Sequence, residues 1–461
     1  MFKPASLRIF LVLIVFYAFF THPYVTTNDG SRFALTAAIA GHGRLDIGGI
    51  LESLISYPFK PGDVSAFNGK EFSDKPPLAG FLGVPVYLLA NIFTSNIHTI
   101  IYFTTLFVSG VSAALTCALI YLLLLKYGLE EKKAAFAALA AGLATNLFYW
   151  GTIMFGHALT TFLVLLAFYF IETGKQRKGD WSPFLSGLAG GLSVMNDYYA
   201  IVGVIALFFY GIFKEKNAGN LRNGIFFILG GLGPAVIFAA YNYEVFKDPF
   251  TITVRHLKYL GFVHKTGIFG LGVPSLKECW KYLFGLDYGL FPYNPALIVP
   301  VLLIPAYLRK KRRPAFFSVL IPVVFLLFLS GIGTNDLGAS WGPRYLLPAV
   351  PFLVLPVALA EKKAWAAFVW LCSLSFVINL LAVNASYPYF LGWPEDVRFI
   401  VREIKFTGSG NVFSFFLHTG PAASLALLPV PFLISAAIWR LFTVKTGAGK
   451  GVFLKKTGGI L

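Results

Sequence analysis

Asp29, Arg32, Lys75 and Arg344 are the side chains in this sequence that could together work on a phosphate-linked group. A carboxylate within hydrogen-bond reach of a hydroxyl can take its proton. A guanidinium holds a phosphate as a planar fork, and an ammonium holds it as a point charge. Asp29 and Arg32 stand in TTNDGSRF (26–33), where Gly30 lets backbone or ligand come close. Lys75 follows Asp74 in FNGKEFSDKPPLAGF (67–81), and Arg344 precedes Tyr345 in SWGPRYLLPAVPFL. Each has an ordinary alternative. Asp29 suits the N-cap of a helix over SRFALTAAIAG. The basic residues suit headgroup snorkelling, and Trp341 and Tyr345 beside Arg344 suit an aromatic belt. Asp74 either holds Lys75 or caps the helix that the two prolines start.

Further ionisable residues share these surroundings. Asp46, Glu52, Asp63 and Glu71 lie in the same segment as Asp29 and Lys75. His157 and Asp197 stand at or near the ends of apolar runs. Ionisable groups at membrane depth are functional candidates, although Asp197 equally suits a bond to a neighbouring helix. His256, Lys258, His264, Lys265 and Asp287 show no metal-ligand spacing, and neither HExxH nor CxxC occurs. GLAGG and GGLGP are not phosphate loops, because no GK[ST] follows. No metal or cofactor is expected.

The elements that must position these residues are membrane helices. Hydrophobic residues make up 57% of the chain, charged residues 13%, and mean hydropathy is +0.71. A soluble domain carries about 25% charged residues, so ordinary soluble classes are excluded. The net charge of +17 does not point to nucleic acid, because the basic residues fall in short clusters between apolar runs. Cys117, Cys279 and Cys372 show no pair spacing, so neither a disulfide framework nor a thiolate site is expected. The first apolar run, 7–20, is followed by THPYVTTND rather than a small-residue cleavage site, and reads as an uncleaved first span.

With both termini cytoplasmic, the basic clusters at 126–133, 175–178, 214–222, 309–313, 362–363 and 445–456 all fall inside. The expected architecture is all-α, a polytopic bundle of about 12–13 spans. Spans are expected near 7–22, 98–126, 133–150, 155–173, 183–196, 197–213, 222–246, 292–308, 315–332, 345–360, 364–383 and 421–443. External segments fall at 22–97, 247–290, 333–343 and 384–420, where irregular backbone can be wet. The run KPPLAGFLGVPVYLLANIF reads as a juxtamembrane or re-entrant helix. Residues 1–246 and 247–461 are read as an N-terminal catalytic module and a C-terminal membrane module. A three-residue glycosylation sequon begins at Asn384.

NDGSRFALTAAIAGHGRLD followed by FNGKEFSDKPPLAGF resembles the opening of the GT-C membrane glycosyltransferases. It is most similar to protein O-mannosyltransferases and to the aminoarabinose transferase of lipid A. There a DExRYA segment after the first span is followed by GDW and then NGxxYFEKPPL. Asp29 falls on the family aspartate, Arg32 on its arginine, and Lys75 on the lysine of KPP; Asp74, Phe33 and Phe72 fall in the same two motifs. GLFPYNPAL and WGPRYLLPAVPFL also resemble segments of that family. The departures are Gly30 for an acidic residue, Phe33 for a tyrosine, and GHGRLD for GDW. His157 stands where relatives begin their fourth span with a second aspartate, leaving His157 or Asp197 to take that role.

The resemblance implies an inverting transfer of a monosaccharide from a polyprenyl-phosphate donor, outside the cytoplasm. The acceptor would be a lipid, glycan or protein hydroxyl. It also implies Asp29 as the base and Lys75, Arg344 and Arg32 as contacts to the donor phosphate. A flippase for lipid-linked sugars would need charges along the bundle interior near the midplane, and a non-catalytic assembly subunit would use the aromatic external segments for docking.

Overall fold

A computed structural model of the chain describes residues 4–55, 62–175, 179–214, 221–258, 272–332, 340–384 and 410–447, with 395, 398, 400–402 and 404. Most of the sequon, His264, Lys265 and parts of three basic clusters (177–178, 216 and 450–456) lie outside the described residues.

The chain is a bundle of helices, polytopic and almost wholly α. Among the described residues, five helices are long and apolar enough to cross a membrane: Ile97–Lys126, Leu221–Phe246, Arg313–Gly331, Lys362–Val383 and Pro421–Arg440. Shorter apolar helices span Pro4–Phe20, Leu78–Phe93, His157–Thr173, Tyr198–Phe213 and Arg344–Leu359. The elements that carry the site are α1 (Pro4–Phe20), α2 (Thr27–His42), α3 (Leu78–Phe93), α4 (His157–Thr173), α5 (Ser182–Asn196), α6 (Ile201–Phe213) and α7 (Leu221–Phe246).

Helix α2 starts where Thr26, in extended backbone, forms a capping box with Asp29. It stops at Gly43, which takes φ +61° and returns its N–H toward the Ala38 and Ile39 carbonyls. Pro76 and Pro77 open α3, which lays Leu78, Ala79, Gly80 and Gly83 against α2. A Cβ on Gly80 would lie 2.9 Å from the Leu35 side chain, and Thr36 Oγ1 donates to the Gly80 carbonyl at 2.9 Å. Leu88, Leu89, Ile92 and Phe93 at the far end of α3 are exposed, as suits a lipid-facing juxtamembrane helix. Between α5 and α7 the backbones nearly touch: a Cβ on Gly187 would land on the Phe227 carbonyl, and one on Gly230 on the Phe184 carbonyl.

Three local features differ from the sequence expectation. FNGKEF forms a hairpin, β1 (Val64–Phe67) with β2 (Lys70–Ser73), in the otherwise helical chain. Asn68 and Gly69 both take positive φ (+49° and +71°), as the tightest two-residue hairpin turn requires. Second, RKKRR (309–313) is no loop but part of a continuous helix, Ile304–Gly331, built from good helix formers. Third, the expected spans at 292–308 and 345–360 break into short turns. Pro292, Pro295, Pro300 and Pro305 interrupt the first, and Pro348, Pro351 and Pro356 the second. The second broken stretch is buried from Leu346 to Val357, where irregular backbone at membrane depth is tolerated.

Candidate functional site

Asp29 occupies the third position of α2, and its carboxylate turns back onto the preceding residue. Thr26 donates to Asp29 Oδ1 twice, from its backbone N at 2.7 Å and its Oγ1 at 2.6 Å. The N-cap of α2 is thus Thr26 rather than the expected Asp29, which completes the capping box from inside the first turn. Asp29 is 1% exposed. Burial pushes its carboxyl up to about 6, with the Thr26 bonds and first-turn amides pulling the other way. Such a carboxyl is ionised at neutral pH and more basic than an ordinary aspartate.

Lys75 follows β2. Its ammonium lies 2.7 Å from Asp63 Oδ1 and 2.8 Å from Asp74 Oδ2, with its side chain 17% exposed. The hairpin register explains the pairing. Val64 is opposite Ser73, so Asp63 and Asp74 leave the paired strands side by side. The hairpin is pinned to α2, because Ser31 Oγ lies 2.9 Å from Ser73 Oγ and donates to Asp74 Oδ1 at 3.4 Å. Thr253 Oγ1 donates to the Asp74 carbonyl, and its backbone N donates to Tyr198 Oη at 3.0 Å. Burial pushes the Asp63 carboxyl up, but Lys75, a Thr27 hydrogen bond and the Arg344 charge outweigh it and hold the group below its usual range. Burial and the Asp63 charge keep the Asp74 carboxyl above its usual range despite Lys75. For Lys75, burial is overcome by the two carboxylates, which hold its ammonium well above an ordinary lysine. Lys75 is therefore charged at every physiological pH.

A second cluster fastens α2 to the bundle. Arg32 Nη2 lies 2.7 Å from Asp197 Oδ1, and Nη1 donates to the Asn196 carbonyl at 3.2 Å. Asp197 Oδ2 accepts from Thr160 Oγ1 at 2.8 Å and lies 3.5 Å from His157 Nδ1, which is 3.0 Å from Tyr199 Oη. Gly156, at φ +86°, leaves the room: a Cβ there would lie 2.9 Å from the Arg32 guanidinium carbon. The Arg32 fork is thus engaged inside the protein, at 2% exposure.

Arg344 is half-buried and free of such a partner. Among the described residues no carboxylate pairs with it; its Nη2 donates to Tyr345 Oη at 3.4 Å, and its Nε is buried without a partner. Its guanidinium carbon lies 5.1 Å from the Tyr345 ring centroid and 5.9 Å from that of Phe155. Tyr345 in turn packs on His157 (5.5 Å) and Tyr199 (5.0 Å), joining the two clusters. Phe33 and Phe72 do not join them: Phe33 packs in the core near Tyr87, and Phe72 edges onto Phe246. Asp46 caps its own loop by accepting from the Gly48 and Glu71 amides, and Glu71 pairs with Lys258. The sequence reading named Asp63 among the candidates without pairing it to Lys75, named Tyr345 only for an aromatic belt, and gave no place to Thr27, Ser31 or Tyr199. The Asn-Gly pair was the signal for Asp63, since a two-residue turn there fixes its register.

The fold has known counterparts. The chain aligns over 96% of its length, with a TM-score of 0.55 and 16% identity, to ArnT from Cupriavidus metallidurans, solved bound to undecaprenyl phosphate; 77% of that chain is covered. Two structures of the Archaeoglobus fulgidus oligosaccharyltransferase align over 84% of the chain at 12% identity, with TM-scores of 0.50 and 0.52. One is apo, and the other, AglB, is in complex with an inhibitory peptide and a dolichol-phosphate. The present chain covers 56% of those archaeal chains. The family model of dolichyl-phosphate-mannose-protein mannosyltransferase matches residues 74–243, from the KPP lysine's neighbour to the end of α7. This chain has the GT-C fold. No curated protein matches its sequence.

Beside the two clusters, the GT-C bundle opens a cavity of about 500 Å³ between α5, α6 and α7. Its walls are apolar, with Val204, Phe208, Phe227 and Phe238 among them. Tyr198, Thr251 and Asn242 mark its polar end, and Tyr198 is one hydrogen bond from Thr253, which holds Asp74.

Proposed function

We propose that this GT-C protein is an inverting glycosyltransferase that moves a monosaccharide from a polyprenyl-phosphate donor to an acceptor hydroxyl outside the cytoplasm. The observation that carries the reading is the pairing on one helix terminus of a basic, buried carboxylate with an adjoining cationic pocket. Asp29 sits in the first turn of α2, and Lys75 is bonded to Asp63, which Thr27 of the same turn also contacts.

In the proposed reaction Asp29 takes the acceptor hydroxyl proton as that oxygen attacks the anomeric carbon. The new carbon–oxygen bond forms as the bond to the phosphate oxygen breaks, so the anomeric configuration inverts. The electron pair leaves on the polyprenyl phosphate, whose developing charge Lys75 and Arg344 stabilise. These two cations supply the positive charge, so no metal is invoked. Arg32 acts as a positioning residue, holding α2 through Asp197, with His157 in the same network. The apolar cavity with its polar end at Tyr198 suits the first part of a prenyl tail. Residues 1–246 then form the catalytic module, to which 247–461 contributes Arg344. The bound lipids named for the GT-C neighbours support this donor class.

The test uses purified protein in liposomes with labelled polyprenyl-phosphate mannose or aminoarabinose and an envelope lipid or peptide acceptor. Release of polyprenyl phosphate with an inverted glycoside, lost in Asp29→Asn, is expected. Transbilayer movement of intact donor with no acceptor modified would instead identify a flippase.

A further inference from the structure

Of the two cations that the proposed function offers to the donor phosphate, one is already occupied. The Asp63 carboxylate lies 2.7 Å from Lys75 Nζ, accepts from the Thr27 side chain in the first turn of α2, and is within reach of the Arg344 charge. An ammonium, a guanidinium and a hydroxyl at a helix start are the groups a phosphate would collect. The anion they surround here belongs to the protein. Arg344 remains incompletely satisfied, with its Nε buried and unpartnered.

Asp74 is placed differently. Its Oδ2 also pairs with Lys75 at 2.8 Å, but its Oδ1 bonds to Ser31 and its carbonyl is fastened by Thr253, so it is built into the hairpin dock. The partners of Asp63, Lys75 and Thr27, are themselves groups of the pocket. We propose that Asp63 is a built-in competitor for the donor, its carboxylate filling the phosphate subsite of the free protein and returning to it after transfer. This inference rests on the donor reading above.

The charges explain why such a competitor is useful. The donor is a phosphodiester with a single negative charge, whereas the released polyprenyl phosphate is a monoester carrying about −1.5 to −2 at neutral pH. The same cations therefore hold the product more tightly than the substrate. A carboxylate that re-enters as the product leaves restores the second anion beside Lys75, which Asp74 alone would otherwise pair, and lowers the barrier to release. If Asp63 merely oriented Lys75, its removal would weaken phosphate binding. Competition makes the opposite prediction.

The experiment titrates undecaprenyl phosphate into the full-length protein in nanodiscs, followed by intrinsic tryptophan fluorescence. Asp63→Asn is expected to bind about fivefold more tightly than the wild type, the effect of removing one partly exposed ion pair. A second measurement needs no variant. Carbodiimide labelling of Asp63 in the wild-type protein, read by mass spectrometry, should rise when undecaprenyl phosphate is added. Equal or weaker binding by Asp63→Asn, or labelling of Asp63 that the lipid leaves unchanged, overturns the proposal. Absence of saturable binding by the wild type overturns the donor reading itself, and this inference with it.

Discussion

Burial and hydrogen bonding act in opposite directions on Asp29, and their balance sets how activity should depend on pH. The carboxyl sits at about 6 because desolvation prevails over the bonds from Thr26. A general base must be unprotonated, so kcat/KM should rise with pH through about 6 and level off above it. Thr26→Val removes the 2.6 Å hydroxyl bond that favours the ionised form, so the rising limb should move to higher pH. A pH–rate profile unchanged by that substitution would remove Asp29 from the role of base. Asp29→Asn should cost about a hundredfold to ten-thousandfold in kcat, the usual contribution of general-base catalysis. Lys75 affects stability as well as rate. Lys75→Met leaves the Asp63 and Asp74 carboxylates facing each other with no cation, at a cost of about 3 kcal/mol. Without the lysine, protonation of one carboxyl relieves the repulsion, so the folded state binds more protons than the unfolded one. Stability of Lys75→Met should therefore fall as pH rises through the range in which that shared proton is lost. Thermal unfolding in detergent across that range checks the sign.

At the scale of elements, two glycine-dependent features place the site. The first is the turn before α4, where Gly156 at φ +86° lies against the Arg32 guanidinium. Gly156→Ala combines a left-handed backbone with a close contact and should destabilise the fold by about 2 kcal/mol. It should also loosen the Arg32–Asp197 pair, which a rise in hydrogen exchange across 27–35 would report. Unchanged exchange there would mean that α2 is held by other contacts. The second feature is the Asn68-Gly69 turn, and it bears on what the sequence discloses. The motif FNGKEFSDKPPLAGF marked its prolines as a helix start, and α3 does begin there; its Lys75 enters the proposed phosphate subsite. Asn-Gly between Phe67 and Lys70 also specifies a hairpin, and counting down its strands sets Asp63 opposite Asp74. That information was local and legible. By contrast, the Arg32–Asp197 pair joins residues that no local rule connects, because it depends on how α2 docks against the α5–α6 junction.

For the whole molecule, composition and periodicity sufficed for an all-α membrane bundle, since no soluble arrangement shelters so much apolar surface. They were less informative about where spans are whole. Segments 292–308 and 345–360 have the length and hydropathy of membrane helices, yet their prolines divide them. Only a bundle that buries them can satisfy the backbone so exposed. RKKRR misled in the opposite direction: a basic cluster marks the edge of the bilayer, but a helix can continue through it into water. The side on which the site lies is an expectation drawn from these clusters, and it can be tested directly. Lys70 is exposed at the tip of the hairpin whose open end carries Asp63 and Lys75, and Lys132 is exposed at the start of Glu131–Leu143, among residues expected in the cytoplasm. Cys117 and Cys372 are buried, so a Cys279→Ser background leaves a quiet surface for labelling. In that background Lys70→Cys should react with an impermeant maleimide in intact cells, and Lys132→Cys only after permeabilisation. The reverse pattern would put Asp29, Lys75 and Arg344 in the cytoplasm, where an extracytoplasmic transfer from a polyprenyl-phosphate donor could not take place.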